Sequence, residues 1–358
     1  MSLYYVHPFK HEQSFTIIAK HHIAYLSRIV KVNEVPEEAL DHLYWASPKN
    51  ILVHPILLLT IGDRADLFQE RQRRLKNLLK FRNHIGGFEP CDTNMLSKPA
   101  VEVLNQMDLV ITPSAWGYEA MKNSGVTTHV EVLPHGVSNE FLKPPAKEVH
   151  PSLAYLKQLK QKHKAILVLY FLQHSGFRKG ADVVAKAMKK VQDKMPNVFL
   201  VVKRGSIIDP YLGILKLLKT VEIAGHLPEN MLVQLIDLCD MVIVPSRGGG
   251  FELNAIEGLA RGKPTLVPNG GCFKDYIKYA IPIKVNGYTK IFKDNPIHVG
   301  QGINPSWEDL ARKITHVARN LQAYKERAVK NALEIRRQYS WEAVCNRLIG
   351  ILKVRGFI

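Results

Sequence analysis

The chain has 358 residues, 46% of them hydrophobic and 23% charged. That balance excludes disordered and fibrous classes and leaves room for two ordinary domains. Its formal charge is +17, with 16 basic and 16 acidic residues up to position 150 and 33 against 16 beyond it; the surplus therefore points to an anionic partner for the second half, whether nucleic acid, an acidic membrane surface or a phosphorylated small molecule.

Taken in chain order, apolar strand-like runs alternate with amphipathic stretches, which predicts a parallel α/β architecture. In the first half the expected strands are YYVHP (4–8), RIVKV (28–32), ILVHPILL (51–58), DLVITPS (108–114) and HVEVLP (129–134), with helices at 37–45, 66–80, 98–107 and 115–124. The Pro-rich stretch FLKPPAKEVHP (141–151) reads as a linker, because proline breaks both kinds of element and stiffens a connection. Beyond it, AILVLYF, NVFLVVK, TVEIAG, MVIVPS and PTLVP alternate with helices near 179–194, 229–238, 252–261 and 306–337.

No run reaches the roughly 20 apolar residues that span a bilayer, and the opening residues lack the pattern of a secretory signal. The four cysteines (Cys91, Cys239, Cys272 and Cys345) have no paired spacing, so neither a zinc site nor a disulfide framework is indicated and a cytoplasmic setting is expected. RQRRLKNLLKFR (71–82) places Leu75, Leu78 and Leu79 on one face amid arginine and lysine. It reads as a docked surface helix or as a peripheral contact with an anionic membrane.

Ligands of open parallel sheets sit beyond the carboxyl ends of the strands. After AILVLYF comes QHSGFRKGADVVAKAM, where Arg178 and Lys179 suit a diphosphate, although the same pair can simply begin a solvated helix face. After MVIVPS comes GGGFELNAIEG, a loose backbone leading into a helix whose free N–H groups favour an anion. Glu257 on that helix could accept two hydrogen bonds from a ribose diol; the plainer alternative is an exposed helical glutamate.

In sequence order these features resemble the family 4 glycosyltransferases, retaining enzymes of GT-B fold. The resemblance rests on Lys179-Gly180, on VEIAGHLPENMLVQLIDLCDMVIVPS (221–246) and on GFELNAIEGLARGKPTLVPNGG (250–271). It also takes in MDLVITPSAWGYEAMKNSGVTTHVEVLPHGVSNEFLKP (107–144) and YSWEAVCNRLIGIL (339–352). It covers most of residues 80–280 and the C-terminal region, and only loosely the first ~80 residues.

The resemblance implies two Rossmann-like doubly wound parallel-sheet domains facing a cleft. Residues 1–145 would bind the acceptor and 146–338 the donor, while 339–358 form a helix crossing back to the first domain. Glu257 would hold the nucleotide ribose and Lys179 the diphosphate. His174 stands where the family keeps an arginine that Arg178 could replace, and Gly176 lies in the same loop. Gly225 and His226 occupy the turn that touches the base, and the backbone of Gly250, Phe251, Glu252 and Leu253 would face phosphate and sugar.

The family's first glutamate, a donor-sugar ligand, is replaced by Gly249, and Glu252 is the expected substitute in the reaction. On the acceptor side His84 is expected near the reacting sugar and Glu89 beside it, with His7, His54 and His135 as weaker choices. The implied activity moves a sugar from a UDP- or GDP-sugar to a glycan, lipid or protein. No metal or other cofactor is implied, because no Asp-x-Asp follows a strand and cations with helix N-termini can offset the leaving diphosphate. Nucleic acid is disfavoured as a partner, since no aromatic-basic platform is evident. The rival readings are a DNA-modifying glycosyltransferase and a sugar-nucleotide-binding protein without turnover.

Overall fold

The computed structural model describes residues 2–9, 14–46, 49–62 and 84–358, together with positions 70, 73, 76, 77 and 79. Two six-stranded sheets, parallel throughout, dominate it. The first takes β1 (Ser2–His7), β2 (Lys31–Pro36), β3 (Asn50–Val53), β4 (His84–Phe88), β5 (Leu109–Thr112) and β6 (Val130–Val132) in the order β2-β1-β3-β4-β5-β6. The second takes β7 (Ile166–Leu172), β8 (Val198–Arg204), β9 (Thr220–Ile223), β10 (Met241–Ile243), β11 (Thr265–Pro268) and β12 (Ile281–Ile283) in the order β12-β11-β10-β7-β8-β9.

Helices cover both faces of each sheet, which is why strands such as β7 read as unbroken apolar runs. An antiparallel hairpin, β13 (Val285–Thr289) with β14 (Gly302–Pro305), follows the second sheet. Residues 143–150, mostly exposed and without regular structure, connect the halves where the prolines predict a linker.

The chain then returns. Ser340 caps the helix Trp341–Val354 through the Ala343 amide, and Trp341, Val344, Cys345, Leu348 and Leu352 complete the core beneath Leu3, Tyr5, Leu52, Phe88 and Leu109 of the first half.

Several elements differ from the sequence expectation. ILVHPILL stays a strand only to Val53, and Ile56–Thr60 turns helical; residues 37–46 form a 3-10 helix. The strand expected at 28–32 begins only at Lys31. The helix Ser14–Leu26 and the strand β4 were not anticipated. The long helix expected at 306–337 is two, Trp307–Arg319 and Leu321–Tyr339, broken at Asn320. The stretch 71–82, with Leu75 and Leu78, lies mostly outside the described residues; Leu79 is half-buried against the first-half core. No helix among the described residues is long and apolar enough to cross a membrane, and all four cysteines are free and buried.

Candidate functional site

The carboxyl ends of the two sheets face each other, and the segment after β10 lies between them. Arg247 fixes it from below. Its guanidinium grips Asp182 through two bonds of 2.6 and 2.8 Å, donates to the Phe177 carbonyl and lies over the Phe177 ring, while its own amide donates to the Arg178 carbonyl. The loop carrying Arg178 and Lys179 is thereby tied to the glycine loop. Gly176 is tied too, its amide donating to Asp209 Oδ2 at 2.7 Å.

The helix Leu253–Ala260 starts directly after the glycines, with Glu252 at its cap position. Glu252 does not cap it. Its side chain, almost wholly buried, takes both oxygens to Lys179 Nζ at 2.8 Å each. A Cβ built on Gly249 would lie 2.5 Å from Glu252 Oε1, so the glycine leaves the space that this carboxylate fills. Arg178 donates to the Gly248 carbonyl at 3.0 Å and keeps its Nε without a partner. His174, beside it, is bonded to Ser175 Oγ, and burial together with Arg178 and Lys179 holds its imidazole below the ordinary range. One turn into the helix, Glu257 Oε2 is enclosed without a hydrogen-bond partner. Burial, with Glu229 nearby, pushes its carboxyl up to about 8.

The first half supplies the opposing wall. Glu89, immediately after β4, is buried and accepts from the Leu57 amide at 2.7 Å. Burial still raises it to about 8 despite that bond. Asp92 follows, with Oδ1 receiving the Gly250 amide at 3.1 Å. Ser114, beyond β5, donates to the Gly250 carbonyl at 2.7 Å. His135, beyond β6, meets the Phe251 ring edge-on at 5.2 Å and is lowered to about 3 by burial. A compact polar seam of Arg178, Lys179, four acidic side chains (Glu89, Asp92, Glu252 and Glu257) and helix-start amides is the result, suited to an anion and to hydroxyl groups.

The chain is similar to several known proteins. A family model described as "Family 4 Glycosyltransferase in conflict systems" matches residues 228–348. "Uncharacterized protein 356" of Sulfolobus islandicus rod-shaped virus 1 is 27% identical over 98% of both chains. "Putative glycosyltransferase 45" of Sulfolobus islandicus filamentous virus is 27% identical over 71% of this chain and 70% of that one. Anabaena HepE, solved in complex with UDP and glucose, superposes with a TM-score of 0.73 at 13% identity, covering 99% of this chain and 100% of that one. The chain has the GT-B fold and resembles the family 4 glycosyltransferases. Trehalose-6-phosphate synthase OtsA shares the fold at a TM-score of 0.69 and 14% identity, covering 99% of both chains.

In this GT-B chain, Arg178, Lys179, His174, Gly249, Gly250, Glu252, Leu253 and Glu257 lie together around the glycine loop. Phe251 sets its ring against Tyr276 and Tyr339 on one side and His135 on the other. Gly225, with a positive φ of 83°, and His226 form the turn after β9; Lys203, buried and lowered by burial to about 8, holds the Gly225 carbonyl.

The expectation for His84 is corrected by its position. It stands exposed at the amino end of β4, against Phe357, a strand's length from the carboxyl end where Glu89 lies. His7 and His54 are buried, His54 bonded to Tyr5 at 3.1 Å and His7 to Glu34 at 2.8 Å. Sequence reasoning missed Asp92, Ser114 and Arg247, which no motif marks; the one available signal is their position just past a strand. Among the described residues no three His, Cys, Asp or Glu side chains are grouped to hold a metal ion.

Proposed function

We propose that the chain transfers a sugar from a nucleoside diphosphate donor, a UDP-sugar in the first instance, to a glycan, lipid or protein hydroxyl with retention of configuration. The observation that carries this reading is the seam itself: Lys179 and Arg178 beside helix-start amides, with the unpartnered Glu257 carboxyl one turn along the same helix.

The diphosphate would lie against Arg178, Lys179 and the amides of Gly250 to Leu253, and the ribose diol would donate to Glu257. Glu252, placed where Gly249 leaves room, would take donor-sugar hydroxyls while ordering Lys179. The bond between the anomeric carbon and the diphosphate oxygen breaks, and a bond from that carbon to the acceptor oxygen forms. The acceptor proton leaves with the nucleoside diphosphate. Cations and oriented amides stabilise the departing charge, so the reading calls for no metal or other cofactor. Glu89, and not His84, would face the acceptor.

In this reading residues 146–338 hold the donor, while 1–145 with the returning 339–358 hold the acceptor, in a cytoplasmic setting. UDP bound to HepE supports the choice of base. The test is a panel of UDP-, GDP- and ADP-sugars scored by thermal shift and by donor hydrolysis, because a ligand that binds only the folded state raises its melting temperature. Stabilisation and slow hydrolysis by one sugar nucleotide are expected. Stabilisation without hydrolysis or transfer to any acceptor would mean a binding protein, and neither effect would end the proposal.

A further inference from the structure

The loop that meets the glycines comes from the other half of the molecule, and it brings a negative charge. Asp92 Oδ1 receives the Gly250 amide at 3.1 Å, and Oδ2 stands 3.6 Å from Arg178 Nη1. Burial pushes the Asp92 carboxyl up, but Arg178, His298, Lys179 and the Gly250 amide outweigh it and hold the group below the usual carboxylate range. Asp92 is therefore an anion seated on an amide, a guanidinium and a neighbouring ammonium, the set of groups that a phosphate takes.

The backbone is shaped around this contact. A Cβ on Gly248 would fall 2.3 Å from the Asp92 carbonyl oxygen, and one on Gly250 would fall 2.3 Å from Pro90 Cβ. Two of the three glycines thus admit a loop of the same chain. Beside it, the connection between β13 and β14 reaches across as a strap. Asn94 and Ser97 amides donate to the Gln301 and Ile297 carbonyls, Gly300 donates to Met95, and Gln301 donates to Asn94 Oδ1 at 2.8 Å. His298 on this strap pairs with Leu96 as an isolated antiparallel bridge.

We propose that Asp92 is an internal stand-in for the donor phosphate, held in the cradle by the strap until a nucleoside diphosphate displaces it, so that donor entry and parting of the two halves are one event. The inference rests on the transferase reading for the identity of the incoming anion. An internal competitor lowers apparent affinity by the fraction of molecules in which the seat is free. Weakening the competitor must then tighten binding even as it loosens the fold.

The test is calorimetric titration of the full chain, and of its Asp92→Asn and Asn94→Ala variants, with inorganic pyrophosphate and with UDP. Asp92→Asn keeps an oxygen for the Gly250 amide but loses the charge, and it should bind both ligands roughly tenfold tighter. Asn94→Ala touches only the strap and should tighten binding by roughly two- to fivefold. Both should melt at or below the wild-type temperature without ligand. An Asp92 that is merely structural would lower melting temperature and affinity together.

Dissociation constants within twofold of wild type in both variants, weaker binding, or no pyrophosphate binding by any of the three proteins would overturn the proposal. If Asp92→Asn does not fold, Asn94→Ala decides. Sugar-nucleotide hydrolysis with unchanged constants removes the internal competitor and leaves the transferase reading, whereas tighter binding without turnover does the reverse.

Discussion

Glu252 and Glu257, acids on one loop and helix, differ in their partners. Glu252 is fully paired with Lys179, and Glu257 keeps an oxygen with no partner. The carboxyl of Glu257 is raised by burial to about 8, and that of Glu89 likewise. A raised carboxyl binds its proton more tightly in the folded state, so its stabilising contribution is complete below about pH 4.5 and is lost as pH rises through about 8. Glu257→Gln should therefore flatten the fall of melting temperature between about pH 5 and 8 by an amount worth about 1–2 kcal/mol, discounted for the partial exposure of the residue. The same variant should weaken UDP about tenfold if the proposed ribose contact is made there, and thermal melts across pH with UDP titration check both. Lys179→Met leaves Glu252 a buried, unpaired charge and should destabilise the chain by about 3–5 kcal/mol. Glu252→Gln should cost less than half of that and abolish most donor turnover. Equal losses in the two denaturant curves would contradict the pairing.

The elements show which physical signals the sequence carried. Alternation of apolar runs with helical stretches made both parallel sheets legible, because strands covered on two faces have little choice but to be apolar throughout. β4 was not legible, since HIGGF carries two glycines and glycine weakens a strand pattern. Gly87 is required there because a Cβ would fall 2.1 Å from the Val53 carbonyl oxygen, a tertiary constraint that sequence periodicity cannot express. The same blindness left His84 and Glu89 undivided: without β4 they were equivalent loop positions, whereas the strand puts them at its two ends. The glycine-loop site was legible because strand, glycines and helix are contiguous in the chain. Its partners Asp92 and Ser114 were not, being brought from 158 and 136 positions away. Gly250→Ala tests how tightly these elements meet. The added methyl group would strike Pro90, whose ring cannot yield, and should cost about 1–3 kcal/mol. Gly249→Ala meets only the tip of Glu252 and should cost less in stability while uncoupling Lys179, which melting curves and donor hydrolysis together distinguish.

At the scale of the molecule, the two halves share a core as well as a cleft. Trp341 is 3% exposed, stacks with His21 at 4.6 Å and would be struck by any Cβ on Gly136. Truncating it to alanine should cost about 3–5 kcal/mol and lower the cooperativity of chemical unfolding, read as two transitions where the wild type shows one. This dependence has a consequence for how the chain is made. Polypeptides emerge from the ribosome in order and early domains tend to fold first. Here the inner face of the first sheet, with Leu3, Tyr5, Leu52 and Leu109, waits for Val344, Leu348, Leu352 and Phe357. The first half therefore stays partly open while the second is made, and nascent chains halted before residue 341 should expose that face to chaperones until the helix Trp341–Val354 is released.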